Sequence, residues 1–386
     1  MVKDRVGIGW RAELAAGILS SLGDIDVLEV MADDFFSASN RELRAIQTLA
    51  VQIPVVLHGV SLGLSSSAAV DSSRLEKFAR VVNAIRPDFW SEHLAFVRSD
   101  GLEIGHLAAP PRTDATVEGS KRNLERAELV VGMRPLVENI ATLIDPPGST
   151  YDEASWISNV LVTSDCDFLL DLNNLYTNAV NFGQSPVDFL ARIPFERVAA
   201  VHLAGGKWIS ASTGERRLLD DHLHDVPEEV YWLLTEVGAR ARRPLTVILE
   251  RDGAFPPFEQ LMAQLERARD ALAMGRIRAV EQTIMRASPT MARGSPYRAQ
   301  PFESYLARLY LDKEARARFL ADPRGEAARA GFHPTECEAL ANLDRVGLEL
   351  ASQSFARKRK QHKQRSPQPS SLRRFASSLF RRGQKR

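Results

Sequence analysis

Cysteine is scarce in this chain of 386 residues: Cys166 and Cys337 stand far apart. Two such residues build neither a disulfide framework nor a thiolate metal site, and reduced thiols predict a cytoplasmic protein. No apolar stretch reaches the length of a transmembrane segment, and the start, MVKDRVGIGW, lacks the basic and apolar parts of a secretory signal. No glycine-rich phosphate loop follows the first apolar run, which argues against a dinucleotide-binding doubly wound sheet. Acidic residues are missing from 351 to 386, where 12 of the 50 Lys and Arg residues lie. The first 350 residues therefore hold 38 basic against 49 acidic groups, a net charge of −11. From residue 356 onward there are two aromatics, Phe375 and Phe380, and no nucleic-acid module. That tail predicts a solvated segment, or one folded back on the acidic body, rather than a specific nucleic-acid partner.

What is present is a series of eight short apolar, β-branched runs, near 6–10, 26–32, 54–60, 88–94, 134–140, 168–174, 198–204 and 245–251. They are continuous rather than alternating, as parallel strands covered on both faces are. Helical patterns lie between them; SSRLEKFARVVNAI, for one, spaces Leu75, Phe78, Val82 and Ile85 along one face. Eight strands alternating with helices over ~270 residues fit an α/β fold of the (β/α)8 TIM-barrel type. Residues 1–278 are assigned to this barrel and 279–300 to a Pro/Gly/Ser linker. A small C-terminal helical appendage, 301–355, and a basic disordered tail, 356–386, follow. Within the appendage Thr335 is placed to cap a helix, with Glu338 three residues on.

Six of the runs end on or near a metal-binding side chain. These are His58 in PVVLHG, His93 in DFWSEHL, Glu138 in RPLVEN, Asp171 in FLLDLNN, His202 in VAAVHLAG and Glu250 in LTVILERD. A lone histidine at a strand end is more often structural than a ligand, and a carboxylate closing an apolar strand is costly unless paired with a cation. Six in register describe a ring of strands delivering donors to one place, and barrel enzymes build their sites at the C-terminal strand ends. Asn173 follows Asp171 by two and would leave the strand end on the same side. Asp220 and His222 share that spacing in LLDDHLHDVP, after the seventh strand. Nine nitrogen and oxygen donors exceed what one ion with an open position needs and suit two or three.

Such a set fits zinc, manganese or non-haem iron. It serves metal-assisted hydrolysis as well as oxidation. A barrel metallohydrolase or isomerase acting on abasic DNA or sugars, and a non-catalytic module binding peptide or metal, therefore stay open on the residues alone. His106, His224, Asn139 and Asn174 are candidates for supporting positions, and Lys207 and Trp208 for a substrate-touching loop. Cys166 starts its strand at the far end and reads as packing.

The motifs GIGWR, LEVMADDFF, LHGVSL, SEHLAF, LVENIAT, LDLNNLYTNAVNFG, VHLAGG, the Asp220-x-His222 pair and LERDG together resemble the multinuclear non-haem iron-dependent oxidative enzymes. The resemblance spans about residues 5 to 275. It implies a TIM barrel with two or three iron ions, dioxygen as co-substrate, and oxidation of cysteine in a ribosomally synthesised precursor peptide, in natural-product (RiPP) biosynthesis. It also implies a partner protein that presents the peptide. The ligands it implies are His58, His93, Glu138, Asp171, Asn173, His202, Asp220, His222 and Glu250. Glu138 would bridge, with His58 and His93 on one ion, Asp171, His202 and Glu250 on the next, and Asn173, Asp220 and His222 on a third. Beyond 290 the segment FLADPRGEAARAGFHPTECEALANLDRVGLEL resembles small helical domains found beside extradiol dioxygenases, and would present the peptide or dock a partner.

Overall fold

The computed structural model describes residues 3–282 and 299–364. Its strands in chain order are β1 (Arg5–Gly9), β2 (Leu28–Met31), β3 (Val55–Gly59), β4 (Trp90–His93), β5 (Phe96–Ser99), β6 (Leu102–Ala108), β7 (Leu136–Glu138), β8 (Phe168–Asp171), β9 (Val198–Leu203), β10 (Gly206–Ser210), β11 (Arg216–Asp220) and β12 (Thr246–Leu249). Eight of them close a parallel barrel in the order β1-β2-β3-β4-β7-β8-β9-β12, with β12 returning to β1. Antiparallel hairpins β5–β6 and β10–β11 stand outside the ring, after β4 and β9. This is the (β/α)8 TIM barrel expected from the sequence.

Strand alternation explains both the core and the site. Leu57, Val137, Leu170, Val201 and Val247 join the large core shared with the surrounding helices. Residues one step away along the same strands join two small clusters instead: Val27, Val56 and Ile248 in one, Leu136, Leu169 and Ala200 in the other. Each of these lies two residues before a donor, Val56 before His58, Leu136 before Glu138, Leu169 before Asp171, Ala200 before His202 and Ile248 before Glu250. A period of two puts each such pair on one face of its strand. The barrel interior is thus an apolar plug with a layer of His and carboxylate groups stacked on it.

The helices follow their sequence signals. Helix Ser72–Ile85 starts at Asp71, whose side chain accepts from the Ser73 and Arg74 amides. It buries Leu75, Phe78, Val82 and Ile85, the predicted stripe, and stops at Arg86 in the left-handed region.

Five C-terminal helices, Ala299–Leu311, Lys313–Ala321, Pro323–Arg329, Pro334–Ala341 and Arg345–Gln364, form the appendage. Leu306, Phe319, Leu340 and Leu348 share one core with Phe96, Ile104 and Ala108 of hairpin β5–β6, Leu143 and Ile144 after β7, and Ala211 between β10 and β11. All three barrel segments leave the C-terminal ends of strands, so the appendage sits on the donor-bearing rim. The approach is close: a Cβ at Gly347 would lie 1.8 Å from the Leu143 carbonyl oxygen.

Two expectations change. Helix Pro334–Ala341 begins two residues earlier than a Thr335 cap would allow, with Pro334 in its first turn and Glu336 accepting from the His333 amide at 2.7 Å. Proline takes that place because it has no amide hydrogen to leave unpaired. The chain expected to be disordered from 356 is helical as far as Gln364. The rest of that tail and most of the 279–300 linker fall outside the described residues.

Candidate metal centre

Parallel register sets the donors side by side. His93 on β4 is opposite Glu138 on β7, and Asp171 on β8 is opposite His202 on β9. Glu138, Asp171, His202, Glu250 and His58 are all buried. Their ligand atoms gather into groups within 4.8 Å: His58, His93 and Glu138 in one, Glu138, Asp171, His202 and Glu250 in another, and Glu29, His58 and His202 in a third. Glu138 belongs to the first two. Its Oε2 lies 3.4 Å from Nε2 of both His58 and His93, and its Oε1 lies 3.1 Å from His202 Nδ1.

Each of these histidines has its other nitrogen held. His58 Nδ1 is 2.8 Å from the Ser91 hydroxyl, and His93 Nδ1 is 3.1 Å from the Gly59 carbonyl oxygen. His202 Nε2 is 2.8 Å from Glu29 Oε2, leaving Nδ1 facing Glu138 and Glu250. Pinning one nitrogen fixes ring orientation and tautomer, as outer partners of metal-bound histidines do.

The remaining three predicted donors lie together, Asp220 and His222 partly exposed and Asn173 buried. Strand β8 ends at Asp171, so Asn173 sits in the first turn of helix Leu172–Phe182 rather than at a strand end. The cause is Asp171 itself: its Oδ1 accepts from the Asn174 amide at 2.6 Å and starts the helix. Asn173 Nδ2 donates to Asp220 Oδ1 at 2.6 Å, and His222 Nε2 lies 2.9 Å from the same oxygen. His222 has φ of +56°, a costly backbone for a non-glycine residue.

Several buried atoms here have no hydrogen-bond partner among the described residues: Glu29 Oε1, Glu138 Oε2, Asp171 Oδ2 and Asn173 Oδ1. Each such orphan costs about 1–3 kcal/mol. They all belong to the donor layer, and cations there would satisfy them, so the residues fit a metal group.

Electrostatics agree. Burial, the Glu138 charge and the Asp220 charge push the Asp171 carboxyl well above its usual range. Burial would lower the His93 pKa, yet Glu138 and Glu92 lift it to about 9. Burial with neighbouring His93 and His202 holds His58 well below the ordinary histidine value. Burial opposes charge on Glu250, but His202 and His222 keep its carboxyl well below the usual range. Without cations the layer depends on shared protons; metal binding would displace them.

The family model for RiPP precursor modification enzymes of the MbnB/TglH/ChrH type matches residues 5–273. The chain belongs to this family. A UPF0276 protein of Caulobacter vibrioides is 31% identical over 274 residues, covering 71% of this chain and 96% of that protein. One from Acaryochloris marina is 30% identical over 262 residues, 68% of this chain and 92% of its own length. Among solved structures, a xylose isomerase domain containing protein from Salmonella typhimurium aligns with 14% identity and a TM-score of 0.48, over 71% of this chain and 98% of its own. The MbnB/TglH/ChrH match ends before the C-terminal helices, and the Caulobacter relative is almost used up by the aligned stretch. The appendage therefore lies outside the stretch that the family model and the Caulobacter relative cover.

Reading the sequence missed Glu29. It lies inside its apolar run, VLEVM, rather than at the end, yet it follows the plug residue Val27 by two and so shares the inward face with the other donors. Asn139 supports the layer through the backbone: its side chain exchanges two 2.9 Å hydrogen bonds with the Asp171 main chain. Asn174 donates to the Asn139 carbonyl oxygen at 3.0 Å. His224 pairs with Asp221 on the surface, as does Lys207. Trp208 is half exposed under the Arg216 guanidinium. Cys166 is buried, its thiol pushed up to about 11 by burial, which suits packing.

Proposed function

We propose that the barrel holds two or three non-haem iron ions and, with dioxygen, oxidises cysteine in a ribosomally made precursor peptide. The observation that carries this reading is Glu138, whose two oxygens face different donor groups, as a bridging carboxylate's would. His58 and His93 would share one ion with Glu138, and Asp171, His202 and Glu250 the next. Asn173, Asp220 and His222 would hold a third. When bound, such ions supply one-electron chemistry and a positive centre that lowers the pKa of a substrate thiol.

The chain's own residues set the conditions for that chemistry. The apolar plug closes the barrel below the donors and excludes water from that side. Ser91, the Gly59 carbonyl and Glu29 lock three imidazoles into one orientation each. The His222 and Asp220 side chains are each 16% exposed, against 2% or less for His58 and Glu138, so substrate enters on their side. Holding a thiol there would fix its β-carbon against the buried layer, an orientation effect.

Metal analysis of anaerobically purified protein, with oxygen uptake on cysteine peptides, tests the reading. Iron at two or three ions per chain and oxygen-dependent loss of peptide thiol are expected. Stoichiometric zinc without iron, and turnover without oxygen, would sink it.

A further inference from the structure

The C-terminal helix Arg345–Gln364 does more than cover the rim, because it seats a lysine on a histidine of the hairpin beside the donor layer. Lys358 Nζ lies 2.9 Å from His106 Nε2, on strand β6 of the hairpin that follows the His93 strand. The contact is braced on both sides. The His106 ring meets the Phe355 ring edge-on at 5.0 Å, and Arg359 donates to the Ile104 carbonyl oxygen at 2.9 Å. Gly105 has φ of +70°, and a Cβ there would strike the Arg359 side chain at 2.6 Å, so the hairpin is shaped to receive this helix.

The pair stands beside the donor layer. The Lys358 charge interacts with Asp220, Asp252 and Asp221, and His106 with His93 and His222. Yet no carboxylate lies within ion-pair distance of Lys358 among the described residues. The nearby acids already have cations of their own. Asp252 pairs with Arg11, Asp221 with Lys207 at 2.9 Å, and Asp220 with His222. An ammonium facing an imidazole nitrogen uses one donor on a neutral acceptor and keeps two free. A half-buried cation without a counter-ion is costly unless something supplies one.

We propose that Lys358, seated on His106, is the group that recognises a carboxylate of the substrate peptide at the mouth of the metal centre. The appendage thereby completes the substrate site instead of merely adjoining it. This rests on the reading of the barrel as a peptide-modifying site. Lys358 is a specificity residue: it sits at the entrance by His222, above the buried donors, and binds the part of the peptide that does not react.

The test uses the full, metal-loaded chain and a pooled set of short synthetic cysteine peptides. Each peptide is present as the free acid, as the C-terminal amide, and with Asp and Glu replaced by Asn and Gln. Retained peptides are counted by mass spectrometry. Carboxylate-bearing forms should be enriched about tenfold by the natural chain, the scale of one charge-assisted contact. K358M should erase the preference while still retaining peptides, and K358R should keep it. Loss of enrichment in the amide set alone places the recognised group at the peptide C terminus; loss in the Asn/Gln set alone places it on a side chain. Either pattern supports the assignment. Enrichment that ignores carboxylates, or that K358M leaves intact, overturns the role of Lys358 but not the peptide reading. If the natural chain retains no peptide at all, both fall.

Discussion

The barrel and the helical appendage meet along one rim but reach it by different routes. In the barrel most strands carry their own instruction. An apolar residue fills the plug, the next one faces the helices, and the third presents a donor. Six short copies of that rule, on β2, β3, β7, β8, β9 and β12, build most of the centre, and the family match covers it. The appendage has no such rule. Its helices bury leucines and phenylalanines like any small bundle, and its chemical contribution is a single lysine whose meaning appears only once the helix is docked. A site can thus be written in periodicity on one side and in packing alone on the other.

The largest expected effect falls on the barrel side. Glu138→Gln should cut metal affinity by more than the roughly 10–100-fold typical of lost outer partners. The same change takes an anionic partner from His93 and His202, so the metal-free variant should also melt somewhat lower, within the roughly 3–5 kcal/mol of a broken buried pair. Metal content and a thermal melt of the stripped proteins check both halves. A variant that melts much lower yet keeps its metal would make Glu138 a structural residue and dissolve the contrast.

The appendage side should fail in the opposite way. Gly347→Val drives a side chain into the Leu143 carbonyl oxygen and should weaken docking by about 1–3 kcal/mol, the usual cost of overpacking. Hydrogen exchange should rise in the five C-terminal helices and in hairpin β5–β6, while metal content stays at the natural level. Metal loss here would show that the centre needs the appendage to form. Glu29→Gln is expected next, lowering metal affinity by roughly tenfold as the His202 ring loses its anionic partner. Titration of the stripped protein measures it; unchanged affinity would mean the His202 orientation is set elsewhere.

The contrast also explains what the sequence made legible. The barrel was readable because continuous apolar runs repeat eightfold and six of them end on or near a His or carboxylate. His58, His93, Glu138, Asp171, His202 and Glu250 could all be located, and the structure gathers them in one layer. Glu29 was passed over because it sits inside its strand, with Val30 and Met31 after it, and not where the run gives way to a loop. Asn173 was located but its element was not, since strand and helix patterns overlap where Asp171 ends one and caps the other. Lys358 lay in a basic stretch without local contrast. Its neighbour His106 is 252 residues away, a distance no periodicity spans.

The last expected effect appears only toward alkaline pH and probes the seam itself. Glu303, on the first helix of the appendage, is fully buried against the barrel. Its Oε2 accepts from the Ser66 hydroxyl at 2.8 Å and its Oε1 from the Ser67 amide at 3.3 Å. Burial lifts its pKa from 4.5 to about 7, although the Ser66 and Ser67 hydrogen bonds pull the other way. The folded state therefore binds this proton more tightly than the unfolded chain does. Stability from this group is complete below about pH 4.5 and falls as the pH rises through 7. Glu303→Gln keeps the shape and an acceptor but cannot ionise, so at pH 8 it should be more stable than the natural chain, by at most about 3 kcal/mol. The gap should close toward pH 5. Paired melts across that range decide it: curves that run parallel would mean the carboxylate is solvated when charged, and that the appendage leaves the rim without unfolding.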